Sequence, residues 1–103
     1  MVKKIKYENK DYPIRISYYA LKHTEVDLGR PMREGDEQDF EGLELLLFYS
    51  LKMGHMKTKA VFELKKEDME MFLDEVMQEF TKLIPLFFPK KEEDKKATKP
   101  GKK

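Results

Sequence analysis

The stretch Phe-Glu-Gly-Leu-Glu-Leu-Leu-Leu-Phe-Tyr-Ser-Leu-Lys-Met-Gly, residues 40–54, decides the fold of this 103-residue chain. Its large apolar residues recur at helical spacing: Phe40, Leu43, Leu47 and Leu51. Other leucines and a phenylalanine lie between them, and a helix that is apolar nearly all round is normally central in its fold. The sequence therefore predicts a core helix over residues 40–53. Asp39 would cap its start, and Gly54 would end it as the C′ residue.

A second apolar stripe of helical period lies further along the chain, at Met69, Phe72, Leu73, Val76, Phe80 and Leu83. It predicts another helix, which Pro85 should close near Leu83 or Ile84 because proline cannot continue the hydrogen-bond pattern. Leu47 and Leu73 lie on the central stripes of these two helices. We therefore expect both leucines to be buried where the helices pack.

The residues before the core helix predict a shorter helix and a hairpin. Tyr12, Ile14 and Ile16 alternate with polar residues or proline, which indicates a strand, and turn-forming residues 8–11 precede it. Ser17 stands where an N-cap is needed and Gly29 where a helix should stop. The helix between them, residues 18–28, has one face marked by Tyr18, Leu21, Glu25 and Leu28.

These elements predict a mainly α, α+β fold: an N-terminal β-hairpin followed by three helices. Residues 1–88 form a single small domain in this interpretation. Residues 89–103 contain seven lysines and three acids, and Ala97 is their only apolar residue apart from two prolines. Such a segment buries too little surface to offset the entropy of ordering, so it is predicted to be a disordered basic tail.

The overall composition excludes several classes of protein. The chain has 21 basic and 20 acidic residues, and its near-balance disfavours a nucleic-acid-binding or membrane-surface protein. It contains no cysteine, which rules out disulfides and thiolate metal sites. No apolar run is long enough to span a bilayer. The basic tail still leaves nucleic-acid binding open as a third, less favoured interpretation.

No catalytic, metal or cofactor motif is present. His23 and His55 have no other histidine within ligand spacing, and Ser17 and Ser50 lie outside any nucleophile motif. The five glycines form no phosphate-binding loop. We therefore expect a protein that is not an enzyme and that takes no cofactor or small-molecule substrate.

The residues that suggest a binding surface are methionines and a C-terminal apolar run. Met53 and Met56 follow the core helix, and methionine adapts to irregular partners. Leu86, Phe87 and Phe88 follow the helix-ending proline, where little chain remains to cover them. These five residues are the predicted partner-binding site. Gap-filling core methionines and a packed C-terminal strand are the alternatives.

The arrangement resembles the small tail assembly chaperones of long-tailed bacteriophages over about residues 3–84. The matching features are Tyr-Pro-Ile-Arg-Ile-Ser (12–17), Tyr-Tyr-Ala-Leu (18–21), Glu-Leu-Leu-Leu-Phe-Tyr-Ser-Leu-Lys-Met-Gly (44–54), and a Phe-x-Leu segment (62–64) before an acidic amphipathic helix. Lys65 departs from the pattern, since such proteins commonly offer serine or threonine there as a helix cap.

The resemblance implies a protein that binds the tape measure protein and the tail tube protein and keeps them soluble before tail assembly. It also implies self-association, a location in the cytoplasm of the bacterial host, and absence from the mature virion. The alternative interpretation is a small structural or connector subunit of a virion or another assembly, which would remain in the finished particle.

Overall fold

The computed structural model describes residues 2–31 and 39–87. The elements in chain order are β1 (Lys3–Tyr7), β2 (Lys10–Ile14), α1 (Tyr18–Leu28), α2 (Phe40–Thr58), a 3₁₀ turn (Lys66–Asp68) and α3 (Met69–Phe87). The predicted mainly α fold with an N-terminal antiparallel hairpin and three helices is confirmed. The predicted tail, residues 89–103, lies outside the described residues.

The hairpin has a two-residue turn, Glu8-Asn9, whose φ angles are both positive at 52° and 66°. Turns of this kind match the twist of the flanking strands, and asparagine tolerates the left-handed conformation. Ile5 and Ile14 are fully buried, as the alternating pattern predicts for the inner face. Pro13 falls at a non-hydrogen-bonded position of the register, so its missing N–H costs no bond between the strands.

α2 is longer than predicted, because Gly54 lies inside the helix and does not end it. The helix continues to Thr58, and Lys59 adopts the left-handed capping conformation with φ of 61°. A Cβ atom at Gly54 would overlap the Pro13 carbonyl oxygen and the Ile14 amide nitrogen. The glycine is therefore needed because the backbone of β2 crosses the helix at this point.

The two predicted N-caps behave differently. The Asp39 carboxylate caps α2 as predicted, since it accepts from the Gly42 N–H at 3.2 Å and from the Arg30 guanidinium at 2.7 and 3.1 Å. Ser17 occupies the cap position of α1, but its side chain makes no capping hydrogen bond. Its Oγ is buried, and only its carbonyl accepts from the helix, from the Leu21 N–H at 2.9 Å.

α1 packs against α2 through small residues, which the apolar spacing of α1 did not indicate. Ala20 and Thr24 are fully buried, whereas Tyr18 is 72% exposed and the other residues of the predicted face are only half-buried. The Thr24 hydroxyl donates to the Ala20 carbonyl at 2.7 Å, so this buried polar group has a hydrogen-bond partner within α1. α1 ends at Gly29, with φ of 74°, as predicted.

α3 shows the predicted inner face but a different end. Its buried residues are Met69, Phe72, Leu73, Val76 and Phe80. The helix runs through Pro85 to Phe87, so the predicted stop at Leu83 or Ile84 is wrong. Proline in the last turn removes a single intrahelical bond, the one to the Thr81 carbonyl. Leu83 and Ile84 pack against the core and hold that turn in place.

One hydrophobic core joins the hairpin and all three helices. Leu47 and Leu73 are 0% and 3% exposed within it, which confirms their predicted burial. The ring of Tyr7 stacks on Phe72 with 4.2 Å between centroids, and this contact ties the hairpin to α3.

Candidate functional site

Met53 and Met56 lie almost one turn apart near the C-terminal end of α2. Met53 is half-buried, and Met56 is 54% exposed. Gly54 and His55, which lie between them, are buried. This part of α2 therefore turns one side into the fold and leaves Met56 facing solvent.

The apolar stretch at the end of α3 is divided between core and surface. Leu83 and Ile84 are half-buried against the core, whereas Leu86 is 55% exposed. The side chain of Phe87 and the whole of Phe88 lie outside the described part of the chain. Among the described side chains, Met56 near the end of α2 and Leu86 near the end of α3 are thus large, apolar and exposed.

The solvent-facing side of α3 is acidic, with four exposed acids at Glu70, Asp74, Glu75 and Glu79. Glu75 accepts a hydrogen bond from the Glu8 N–H at 3.1 Å. Burial is the main cause that raises the pKa of Glu44, and the nearby Glu70 and Glu41 raise it further. An excess of acidic side chains therefore extends from α3 onto the first turns of α2.

The outer side of α1 carries a second apolar surface, which the sequence interpretation missed. Tyr18 and Val26 are 72% and 67% exposed. They border an open groove of about 350 Å³ whose lining residues are Tyr18, Leu21, Lys22, Glu25, Val26, Arg30 and Pro31. The available signal was that α1 has small Ala20 and Thr24 on one side and large apolar residues on the other.

A polar cluster joins α1, α2 and the 3₁₀ turn. The Asp27 Oδ2 atom accepts from the Tyr49 hydroxyl and from the Lys66 ammonium, each at 2.6 Å. The ammonium also lies over the rings of Tyr49 and Phe48, at 5.3 and 5.8 Å from their centroids. The His23 ring lies 5.4 Å from that of Tyr49. No pattern in the sequence indicated this cluster, because its members are far apart in the chain.

The hydrogen bonds keep Asp27, Lys66 and Tyr49 in their ordinary ionisation states near neutral pH. The hydrogen bond from Lys66, followed by that from Tyr49, lowers the pKa of Asp27. The bond to Asp27 raises the pKa of Lys66, and burial followed by the bond to Asp27 raises the pKa of Tyr49. A carboxylate, an ammonium and a neutral phenol therefore persist together. The two hydrogen bonds of Asp27 therefore connect α1 with α2 and with the 3₁₀ turn.

Asp27→Asn is expected to lower the stability of the fold modestly, by about 0.5–1 kcal/mol, because Lys66 is half exposed and solvent weakens the pair. The pKa of Asp27 is lower in the folded protein than its ordinary value of 3.8. Its stabilising contribution is therefore present above about pH 4 and is lost as the pH falls through the folded pKa. Thermal unfolding of the wild type and of Asp27→Asn between neutral pH and about pH 3 measures the effect.

The difference in Tm between the wild type and Asp27→Asn should shrink toward acid. Glu67→Gln, which removes an exposed acid next to Lys66 in the chain, is the matched control and should change Tm little. A difference for Asp27→Asn that stays constant down to pH 3 would contradict the ion-pair assignment.

Within residues 2–31 and 39–87, no group of three or more histidine or acidic side chains could hold a metal ion. The buried His55 places its Nδ1 atom 2.6 Å from the Leu51 carbonyl oxygen, so that nitrogen is used inside the fold. No helix in these ranges has the length and apolar character to cross a membrane.

The chain matches no family model, no curated protein and no solved structure.

Proposed function

We propose that the chain is a tail assembly chaperone of a long-tailed bacteriophage, which binds the tape measure protein, the tail tube protein or both and keeps them soluble before assembly. The observation that carries the proposal is the exposure of Met56 and Leu86, each more than half exposed on a small, highly charged domain. Contiguous exposed apolar surface marks sites of protein–protein interaction, and the proposal assigns both side chains to one such surface.

The chemistry of these side chains suits segments of varied sequence. Methionine is unbranched and flexible, so Met56 can pack against irregular apolar surfaces. Leu86 lies in the last turn of α3 and is more than half exposed. Phe87 and Phe88 extend the predicted site in the sequence, and aromatic side chains supply much of the contact energy at interfaces.

The acidic side of α3 supports the same function. A chaperone must remain soluble while it exposes apolar surface, and like charges on one face repel the same face of another copy. The exposed acids Glu70, Asp74 and Glu79 provide such charge on the helix that carries Leu86.

Co-expression with the tape measure protein or the tail tube protein of the same genome tests the proposal. We expect the wild-type chain to raise the soluble fraction of the client. The double variant Met56→Ser with Leu86→Ser should bind the client on the order of tenfold more weakly, because each residue loses buried apolar contact. The measurements are the soluble fraction and the amount of chaperone that co-purifies with the client.

The matched control is Val61→Ser with Met71→Ser, which removes two apolar side chains that are 77% and 69% exposed elsewhere. Circular dichroism should show the same helix content for both double variants. If the wild type leaves both clients insoluble, the proposed function is wrong. If both double variants protect the client equally well, the function stands and the assigned surface is wrong.

The alternative, a structural or connector subunit, predicts a different location. A chaperone acts in the cytoplasm of the infected host and leaves before the particle is complete. A mass-spectrometric inventory of purified particles separates the two interpretations: a stoichiometric amount of this chain in the virion would favour the structural subunit.

A further inference from the structure

In the described part of the chain, the sheet consists of two strands, so each strand has one edge that the other does not use. Because the turn has two residues, the pair that closes it, Tyr7 and Lys10, is hydrogen-bonded, and such pairs alternate along the hairpin. Ile5 is therefore also bonded to β2. Lys4 and Lys6 instead direct their N–H and C=O groups outward, and we call these groups the β1 edge.

The opposite edge of the sheet, on β2, is closed. Pro13 has no N–H, and its carbonyl oxygen would overlap a Cβ atom at Gly54, so α2 covers this edge. The Arg15 N–H already donates to a carbonyl oxygen of α2 at 2.9 Å. By contrast, Lys4 and Lys6 are exposed, and the β1 edge has no hydrogen-bond partner among the described residues. β1 is thus the open edge of the sheet.

The open edge is short, because it ends at the turn. Two residues beyond Lys6, Glu8 donates its N–H to the Glu75 carboxylate of α3 at 3.1 Å. The unpaired groups therefore stop at Lys6, and they suit a short extended segment. The contact also shows that the end of β1 accommodates a carboxylate.

We propose that the β1 edge binds a short, extended, acidic segment of another protein, which adds to the sheet as a third strand. An unpaired strand edge is a template for such pairing, and the main-chain hydrogen bonds supply the affinity. In an antiparallel pair, the partner residues opposite Lys4 and Lys6 have their side chains on the same face as the two lysines. Acids at alternating positions of the segment therefore pair with both.

The lysines disfavour a second copy of β1 as the occupant. An antiparallel pair of two β1 edges would set Lys4 of one copy against Lys6 of the other, and like charges directly opposite each other are destabilising. Lysine on an edge strand commonly prevents such pairing, whereas an acidic strand is attracted by the same charges. Lys4 should contribute more than Lys6, because Lys6 faces Asp11 across the hairpin and Lys4 faces the uncharged Pro13.

The inference rests on the hairpin alone, and it holds whether or not the chain is a chaperone. The first test is amide hydrogen exchange of the free, full-length chain, followed by NMR. The N–H groups of Ile5 and Tyr7 should be protected by their bonds to β2, and those of Lys4 and Lys6 should exchange rapidly. Protection of Lys4 and Lys6 in the free protein would show that the β1 edge is already covered, which would overturn the proposal.

The second test titrates the labelled chain with the acetylated, amidated peptide Thr-Glu-Val-Glu-Val-Thr. We expect a dissociation constant on the order of 0.1–1 mM in about 50 mM salt, with the largest shifts and a new protection at the Lys4 and Lys6 N–H groups. The same peptide with lysine in place of glutamate should not bind. A version N-methylated at both glutamates keeps the charge but loses the donors that face β1, and it should bind on the order of tenfold more weakly or not at all.

Variants of the protein locate the charge. Lys4→Glu should raise the dissociation constant for the acidic peptide by on the order of tenfold, and Lys6→Glu should raise it less. Lys22→Glu is the matched control, since it reverses an exposed lysine of α1, outside the sheet, and it should leave the constant unchanged. Thermal melts report whether any of these changes disturbs the fold.

Four outcomes of the titrations would overturn the proposal. They are no binding of the acidic peptide up to about 5 mM, equal binding of the N-methylated peptide, equal weakening by Lys22→Glu and Lys4→Glu, and tighter binding of a thymidine decanucleotide than of the acidic peptide. The second outcome would reduce the interaction to attraction between charges without strand addition. The last would make the lysines of β1 a nucleic-acid site, since phosphates would then be their preferred partners.

Discussion

Leu73→Asp is expected to unfold the protein at room temperature or to lower its Tm by tens of degrees. Leu73 is 3% exposed and lies in the same core as Leu47, which is fully buried. An unpaired carboxylate at either position costs several kcal/mol, out of a total stability of about 5–15 kcal/mol for a domain of this size. Circular dichroism at 222 nm during heating measures the effect.

Met71→Asp is the matched control, because Met71 lies two residues earlier on α3 and is 69% exposed. It should change Tm by no more than a few degrees, since surface substitutions usually alter stability by less than about 0.5 kcal/mol. If Leu73→Asp melted like the control, the assignment of the inner face of α3 would be wrong.

Gly54→Ala is expected to destabilise the fold, although alanine is the better helix former by about 1 kcal/mol. The added Cβ would overlap the backbone of β2 at Pro13 and Ile14, and backbone cannot rotate out of the way as a side chain can. The Arg15 N–H also donates to the Ser50 carbonyl at 2.9 Å, which holds β2 close to α2. We expect a loss of at least about 1–3 kcal/mol and a fall in Tm of roughly 5 °C per kcal/mol.

Met56→Ala is the matched control for Gly54→Ala. It places alanine two residues further along α2, at a position that is 54% exposed and has no backbone clash. Its melting temperature should stay close to that of the wild type. An increase of Tm in Gly54→Ala would show that β2 does not approach α2 as closely as the structure describes.

The proposed partner site was only partly accessible to sequence reasoning. Met56 and Leu86 are each more than half exposed, whereas the side chain of Phe87 and the whole of Phe88 lie outside the described residues. Met53 is half-buried, because α2 continues past it and packs this region against the hairpin. The outer face of α1 was missed, since its apolar residues were assigned by spacing without knowledge of which side meets α2.

The sequence by itself determined the hairpin, the three helices and the inner face of α3. Alternating residues bury one face of a strand, and the apolar stripe at Phe72, Leu73 and Val76 buries one face of a helix wherever the rest of the core lies. The caps at Asp39 and Gly29 were also predictable from the sequence, because each acts only on its own helix. Asp39 accepts a hydrogen bond from the first turn of α2, and Gly29 ends α1 in the left-handed conformation.

Only the tertiary structure decided where α2 ends and which side of α1 faces inward. It also decided that the Ser17 side chain is buried without a capping hydrogen bond. A glycine in a sequence can mark either a helix end or a place where another backbone approaches closely. At Gly54 it is the second, because the backbone of β2 crosses α2 there. The small Ala20 and Thr24 become the inner side of α1 because α2 lies close to them. Asp27, Tyr49 and Lys66 meet only after folding, since their pairing depends on elements that are distant in sequence. The residues of each segment determine its preference for helix, strand or turn. The contacts between segments depend on how the whole chain packs.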